Sequence, residues 1–298
     1  MSIKGIFKNL STGRQFCLFL FLTFFCLLFF SLLMGFFAQL LGFSSTSIVE
    51  DANAARLAQF FSAIITFLVP SLIVAWFFST EPRTYLYIES LPSISVLFYS
   101  MISFLLLLPF VGLTEDLNKL IVFPDALKGL EQWMIAKQNE SDLFTKLLLS
   151  NYSWPVLLAN FIVIGLTAGV VEEFFFRGAM MRIMKGWIVS NQSVIWIVAL
   201  IFSAVHLQFY GFIPRLILGA LLGYLLLWTK SLWVPIFAHV MNNTLSIVVM
   251  SVPFLRDSLL FSDSIPRSWY PAYIAISFIC LAIAAWIVHK KVIQREAL

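Results

Sequence analysis

An all-α, polytopic membrane protein of about eight transmembrane helices is the architecture this sequence predicts, and three observations predict it. Apolar residues make up 61% of the 298 positions and charged ones only 11%, against about 25% charged in soluble domains. The apolar residues gather into runs of roughly 20, enough at ~1.5 Å per residue to cross ~30 Å of hydrocarbon. Most of the lysines and arginines fall at the chain ends and in the short turns between those runs.

The runs lie at 16–41, 57–78, 93–112, 155–176, 189–207, 213–229, 232–251 and 271–288. The first follows Lys4, Lys8 and Arg14 in the manner of a signal peptide. Its apolar core is too long for one, however, and FFAQLLGF is a poor small-residue cleavage site, so it is read as an anchor. The second and third flank a turn holding Arg83, and the fourth runs toward Arg182 and Lys185. The fifth ends at QFYGFIP, whose glycine and proline permit the helix to stop before the far surface. Lys230 separates the sixth from the seventh, and Lys290 and Lys291 follow the eighth. Between the third and fourth runs, ALKGLEQWMIAKQNESDLFTKLLLS has apolar residues at helix-like intervals with charges between them. This stretch reads either as amphipathic helix on the outer membrane surface or as a solvated connector. The chain divides accordingly into an N-terminal three-helix membrane region (1–112), an amphipathic connector (113–153), a core of helices (155–251), and a last helix with a cytoplasmic tail (252–298).

Orientation follows from Lys and Arg in short loops. With the N-terminus inside, the cytoplasmic side holds Lys4, Lys8, Arg14, Arg83, Arg182, Lys185, Lys230, Lys290, Lys291 and Arg295, while the short outer loops hold Arg56, Arg215, Arg256 and Arg267. Ten against four predicts a multi-pass protein of the cell membrane with both termini in the cytoplasm. The formal net charge of +4 is small and dispersed, so the natural partner is the lipid bilayer and not nucleic acid. Cys17, Cys26 and Cys280 lie inside apolar runs, where cysteine behaves as a small hydrophobe, and their spacing forms neither a metal knuckle nor a disulfide framework. No cofactor motif stands out.

The fourth run contains GVVEEFFFRGAMM, with Glu172, Glu173 and Arg177 among phenylalanines. A charge at the bilayer centre costs roughly 2.5–3.5 kcal/mol even on lenient scales, so these groups call for a protein interior or a water-filled site. Glu173 and Arg177 are four apart in the favourable order for an ion pair. Glu172, turned about 100° away, is left as a carboxylate suited to accept a proton. Two of the three histidines lie in later apolar runs: His206 four residues after Phe202 in FSAVH, and His239 four before Asn243 in HVMNN. By helix rise, Glu172, His206, His239 and Asn243 fall ~20, ~24, ~12 and ~18 Å from the inner surface, close to a common level. His289, beside Lys290 at a helix end, is assigned no chemistry.

EEFFFRG, FSAVH and SLWVPIFAHVMNN, in that order on membrane helices, resemble the three motifs of the CPBP intramembrane protease family, also called Abi or type II CAAX prenyl endopeptidases. The likeness covers roughly residues 155–250. It implies an eight-helix bundle with a central intramembrane site open toward the cytoplasm. It also implies a metal-independent glutamic endopeptidase, in which Glu172 activates water, His206 assists, and His239 and Asn243 form the oxyanion hole. Glu173, Arg177 and Phe202 match supporting positions. The implied partner is a membrane-associated or lipidated peptide or protein substrate.

The chemistry is coherent without the resemblance. A base to deprotonate water and donors aimed at the developing oxyanion suffice for peptide hydrolysis. Ser203, three residues before His206, is a poor nucleophile candidate because a helical hydroxyl often bonds back to its own helix. A zinc hydrolase using His206, His239 and Glu172 or Glu173 remains an alternative, without an HExxH motif. So do a proton-coupled transporter, which would bury the same residue types, and a non-catalytic scaffold or immunity protein.

Overall fold

The computed structural model describes residues 3–40, 51–149, 151, 153–252 and 267–293. Arg256, Arg295 and the chain end from residue 294 lie outside them, as do the side chains of Arg267 and Lys291. The described residues are helical, with no strand among them. Among the described residues, seven helices are long and apolar enough to cross a membrane: α1 (Thr12–Leu40), α2 (Ala52–Phe78), α3 (Ile94–Lys119), α5 (Trp154–Met184), α7 (Phe212–Thr229), α8 (Trp233–Ser251) and α9 (Tyr270–Ile287). Two further described helices of more than ten residues are α4 (Lys128–Leu149) in the connector and the short α6 (Asn191–Ala204). The molecule is a polytopic all-α membrane protein.

Local chemistry sets the helix ends. Asp51 caps α2, its carboxylate accepting from the backbone N–H groups of Asn53 and Ala54 at 2.9 and 2.7 Å. Ser93 and Ser190 cap α3 and α6 in the same way, satisfying donors that the first turn leaves unpaired. The exposed phenylalanines of α1, such as Phe21, Phe25 and Phe29, form a face that lipid solvates. The packed interior lies where α5 meets its neighbours: Phe174, Phe175, Phe176, Met180 and Ile183 pack with Phe19 of α1, Ile195 and Phe202 of α6, and Ile236 of α8.

The fifth apolar run is shorter than a full crossing. α6 has 14 residues, ~21 Å by helix rise against ~30 Å of hydrocarbon. The stop expected at QFYGFIP is present. After Ala204 the chain turns through Leu207, at φ 55°, and a 3₁₀ turn at Phe209–Gly211. A turn at this depth must find partners for its backbone groups inside the protein. Asn118 of α3 supplies them: its amide donates to the carbonyls of Phe209 and Tyr210, both at 2.7 Å, and its oxygen accepts from Ile213 N–H at 3.3 Å. Ser203 adds a 2.7 Å bond to the Phe212 carbonyl, so its hydroxyl reaches forward across the turn instead of back along its helix.

Two cations that the sequence places in outer loops are structural. Arg56 is buried within α2 and bonds Asn160 of α5 at 2.7 Å, Asn53 at 2.8 Å and the Leu148 carbonyl of α4 at 2.6 Å. Arg215 lies in the first turn of α7 and bonds both the side chain and the carbonyl of Gln208, which in turn bonds Ser141 of α4. The connector helix is thereby tied to the bundle at two points.

Candidate functional site

The sequence of α5 makes an irregular helix. Its α-helical turn Ala168–Glu173 is flanked by π-helical stretches at Phe161–Thr167 and Phe174–Met180, a local widening that recurs at functional sites. Glu172 and Glu173 end the turn between them. One turn earlier, Gly169 faces α8 so closely that a Cβ there would lie 3.0 Å from the backbone nitrogen of Val240 and 3.2 Å from its Cα. Glycine lets the two backbones approach, and His239, the neighbour of Val240, is carried up to the carboxylates.

Glu173 and Arg177 form the pair that their spacing predicts, at 2.7 Å with both side chains buried. Arg177 also donates to the Gly219 carbonyl of α7 at 2.8 Å and lies over the Phe202 ring at 4.7 Å. His239 Nδ1 is 2.8 Å from Glu173 Oε1. That carboxylate therefore joins Arg177 and His239 in one buried network, a link the sequence does not display. The other ring nitrogen, Nε2, is 3.8 Å from Glu172 Oε2. This is too long for a hydrogen bond, yet close enough for one tetrahedral centre to meet both.

The remaining residues meet at the same place. Glu172, Phe202, His206, His239 and Asn243 all line one cavity of about 560 Å³. His206 Nδ1 donates to the Phe202 carbonyl at 2.7 Å, which leaves Nε2 as the ring's other hydrogen-bonding atom. Phe202 meets both rings edge-on, with centroids 4.9 Å from His206 and 5.8 Å from His239. Asn243 donates one amide proton to the Ile164 carbonyl at 3.1 Å and keeps a second. No direct bond joins His206 to Glu172 among the described residues; they share a wall. His289 lies exposed at the end of α9, away from the cavity.

Sequence reasoning did not find three parts of this site. Arg215, Gln208 and Ser141 line the cavity as a bonded row, and the signal available was a fourth charged residue at the edge of an apolar run. Glu115 of α3 is a further lining carboxylate. The connector helix α4 forms part of the wall through Phe144, Thr145 and Leu148; its amphipathic pattern suggested a surface and not which surface. Among the described residues, no group of three or more His, Cys, Asp or Glu side chains is gathered so as to hold a metal ion.

With this geometry, comparison with known proteins is informative. Residues 154–245 match the family model described as "Type II CAAX prenyl endopeptidase Rce1-like". The likeness of this segment to the type II CAAX prenyl endopeptidases supports the CPBP resemblance carried by the three motifs. The match spans α5 to α7 and α8 as far as Leu245, and so takes in Glu172 on α5, His206 just past α6, and His239 and Asn243 on α8. One curated protein of similar sequence is "Putative membrane peptidase YdiL" of Bacillus subtilis (strain 168), 27% identical over 142 residues. The alignment takes in 46% of this chain and 55% of that protein, so the chain spans about half the length of the curated relative it matches. No solved structure matches the chain.

Proposed function

We propose that the protein is a metal-independent intramembrane endopeptidase in which Glu172 is the water-activating base. The observation that carries this reading is the convergence of Glu172, His206, His239 and Asn243 on one cavity enclosed by apolar helices. Glu172 accepts a proton from water as the oxygen attacks the scissile carbonyl. The carbonyl oxygen becomes negative and is met by donors, the second amide proton of Asn243 and Nε2–H of His239. Because Nδ1–H of His239 is committed to Glu173, donation from Nε2 requires the ring to carry both protons, and a buried carboxylate at 2.8 Å is the partner that such a ring needs. His206, oriented by the Phe202 carbonyl, offers Nε2 to the water or to the departing amine. Collapse of the tetrahedral centre breaks the C–N bond, and the proton taken from water passes to the amine. Glu173, Arg177 and Phe202 hold His239 in place.

Each part has a known scale. A positioned base contributes about 10²–10⁴-fold, and one oxyanion donor about 10²–10³-fold in kcat. The substrate class is a membrane-associated or lipidated peptide or protein. The test compares membrane proteomes of cells carrying wild type and Glu172→Gln, followed by cleavage assays on the purified protein with peptides spanning the ends so found. Peptide ends that vanish with Glu172→Gln support the reading, and identical sets of ends overturn it.

A further inference from the structure

The cavity is one-sided. Its deep end, at Phe104, Phe202, Leu222 and His239, is buried, whereas Ser246 and Met250 at the other end are exposed. Every wall residue beyond the deep end lies toward the turns that join α3 to α4 and α6 to α7. Glu115 is four residues from the end of α3, Arg215 is in the first turn of α7, and Met250 is in the last turn of α8. Helix α4 completes the wall there through Thr145. None of the lining residues comes from the opposite surface, where the chain turns at 79–93, 185–190 and 230–232.

That opposite surface is the basic one. Among the described residues, that end of the bundle carries nine Lys and Arg positions: Lys4, Lys8, Arg14, Arg83, Arg182, Lys185, Lys230, Lys290 and Lys291. On the cavity side, Arg56 and Arg215 are drawn into the bundle and are not loop charges. Even with the four connector lysines added, the described positions on this side are five: Lys119, Lys128, Lys137, Lys146 and Arg267. Lys128 and Lys137 are moreover ion-paired with Asp125 and Glu140, at 2.6 and 2.7 Å. The excess of Lys and Arg marks the cytoplasmic side. A cytoplasmic opening, expected from the family resemblance, and cytoplasmic termini, expected from the charges, therefore exclude each other in this fold.

We infer that the cavity opens on the non-cytoplasmic face of the membrane and receives its substrate from that side. The substrate part rests on the peptidase reading and the topological part does not. The substrate is then a peptide segment of an exported or membrane-inserted polypeptide, presented at the outer leaflet, and not a chain end modified in the cytoplasm. Water reaches Glu172 from the same side, since a hydrolytic site at this depth needs an aqueous path to its mouth.

Cysteine accessibility tests the inference in intact cells. In a background with Cys17, Cys26 and Cys280 replaced by alanine, single cysteines are placed at Asp142→Cys on the exposed face of α4, at Thr145→Cys and Ser246→Cys in the cavity wall, and at Val189→Cys on the basic side. A sulfonated, membrane-impermeant thiol reagent is applied before and after permeabilisation. Asp142→Cys and at least one wall cysteine are expected to label at least tenfold more than Val189→Cys before permeabilisation, with Val189→Cys labelling fully afterwards. Labelling of Val189→Cys in intact cells, alone or together with Asp142→Cys, overturns the assignment, as does silence of both wall cysteines. If cleavage sites dependent on Glu172 are found, they should map to non-cytoplasmic segments, and sites in cytoplasmic chain ends refute the substrate class. Loss of the peptidase reading itself leaves the labelling pattern unchanged, so the two failures are distinguishable.

Discussion

Arg177→Ala separates the structural half of the polar network from its proposed reactive half. Arg177 and Glu173 are 1% and 0% exposed, and their 2.7 Å bond is supplemented by the Gly219 carbonyl and the Phe202 ring. Removing the guanidinium leaves a buried carboxylate whose remaining partner is His239, and breaking such a pair costs about 3–5 kcal/mol. The Gly219 carbonyl also loses its side-chain donor, but the two losses share one group and do not add. At roughly 2–4 °C per kcal/mol for a chain of this size, the apparent melting temperature should fall by roughly 6–20 °C. Glu172 makes no bond of hydrogen-bonding length and its side chain is 16% exposed, so Glu172→Ala should shift melting by no more than about 2 °C. The assay heats each purified variant in detergent and follows the soluble monodisperse fraction by size exclusion. A double variant, Glu173→Leu with Arg177→Met, removes both charges and should recover part of the loss, because uncharged packing often replaces a buried pair at little cost. Equal melting temperatures for Arg177→Ala and Glu172→Ala would refute the division of roles.

Asn243→Asp exchanges an amide donor for an acceptor that repels the oxyanion, and should lower kcat at least about 100-fold while the protein still inserts; activity near wild type removes Asn243 from the oxyanion hole. Gly169→Val forces side-chain atoms against the Val240 backbone, which a Cβ alone would approach to 3.0 Å. It should cost about 1–3 kcal/mol and reduce activity by separating His239 from the two glutamates, whereas unchanged melting and turnover would show that the α5–α8 contact is loose. Exhaustive chelation and metal-free buffer should leave peptidase activity intact. Elemental analysis showing stoichiometric zinc that departs together with activity, and returns with it, would overturn the glutamate mechanism.

Much of the fold is legible because the solvent is lipid. A helix in hydrocarbon must satisfy its own backbone, so length and apolarity alone locate α1, α2, α3, α5, α7, α8 and α9. Where the chain departs from that rule, the pattern marks the place, as the glycine and proline of QFYGFIP do for α6, and is silent about the partner. α6 is short because Asn118, some 90 positions away, supplies the bonds its turn needs, and no local periodicity encodes such a partner. Arg56 and Arg215 read as loop charges because their sequence neighbours are loop-like, while the acceptors that draw them inward, Asn160, the Leu148 carbonyl and Gln208, become visible only when the helices are assembled.

The site shows the same limit at closer range. The spacing of four between Glu173 and Arg177 encodes their bond, since helix geometry alone delivers it. It does not encode His239, which is 66 positions away and arrives through the Gly169–Val240 contact. Counting charges along α5 makes Glu173 and Arg177 a closed pair and Glu172 the odd carboxylate. In three dimensions Glu173 is the hub: it neutralises Arg177 on one side and fixes the His239 ring on the other. A glutamate read from sequence as a staple is thus tied to the proton inventory of the proposed oxyanion donor. Glu173→Gln keeps the shape but supplies at most one oxygen acceptor without the negative charge. It should therefore lower kcat through His239 as well as stability through Arg177, whereas a staple alone would alter only stability.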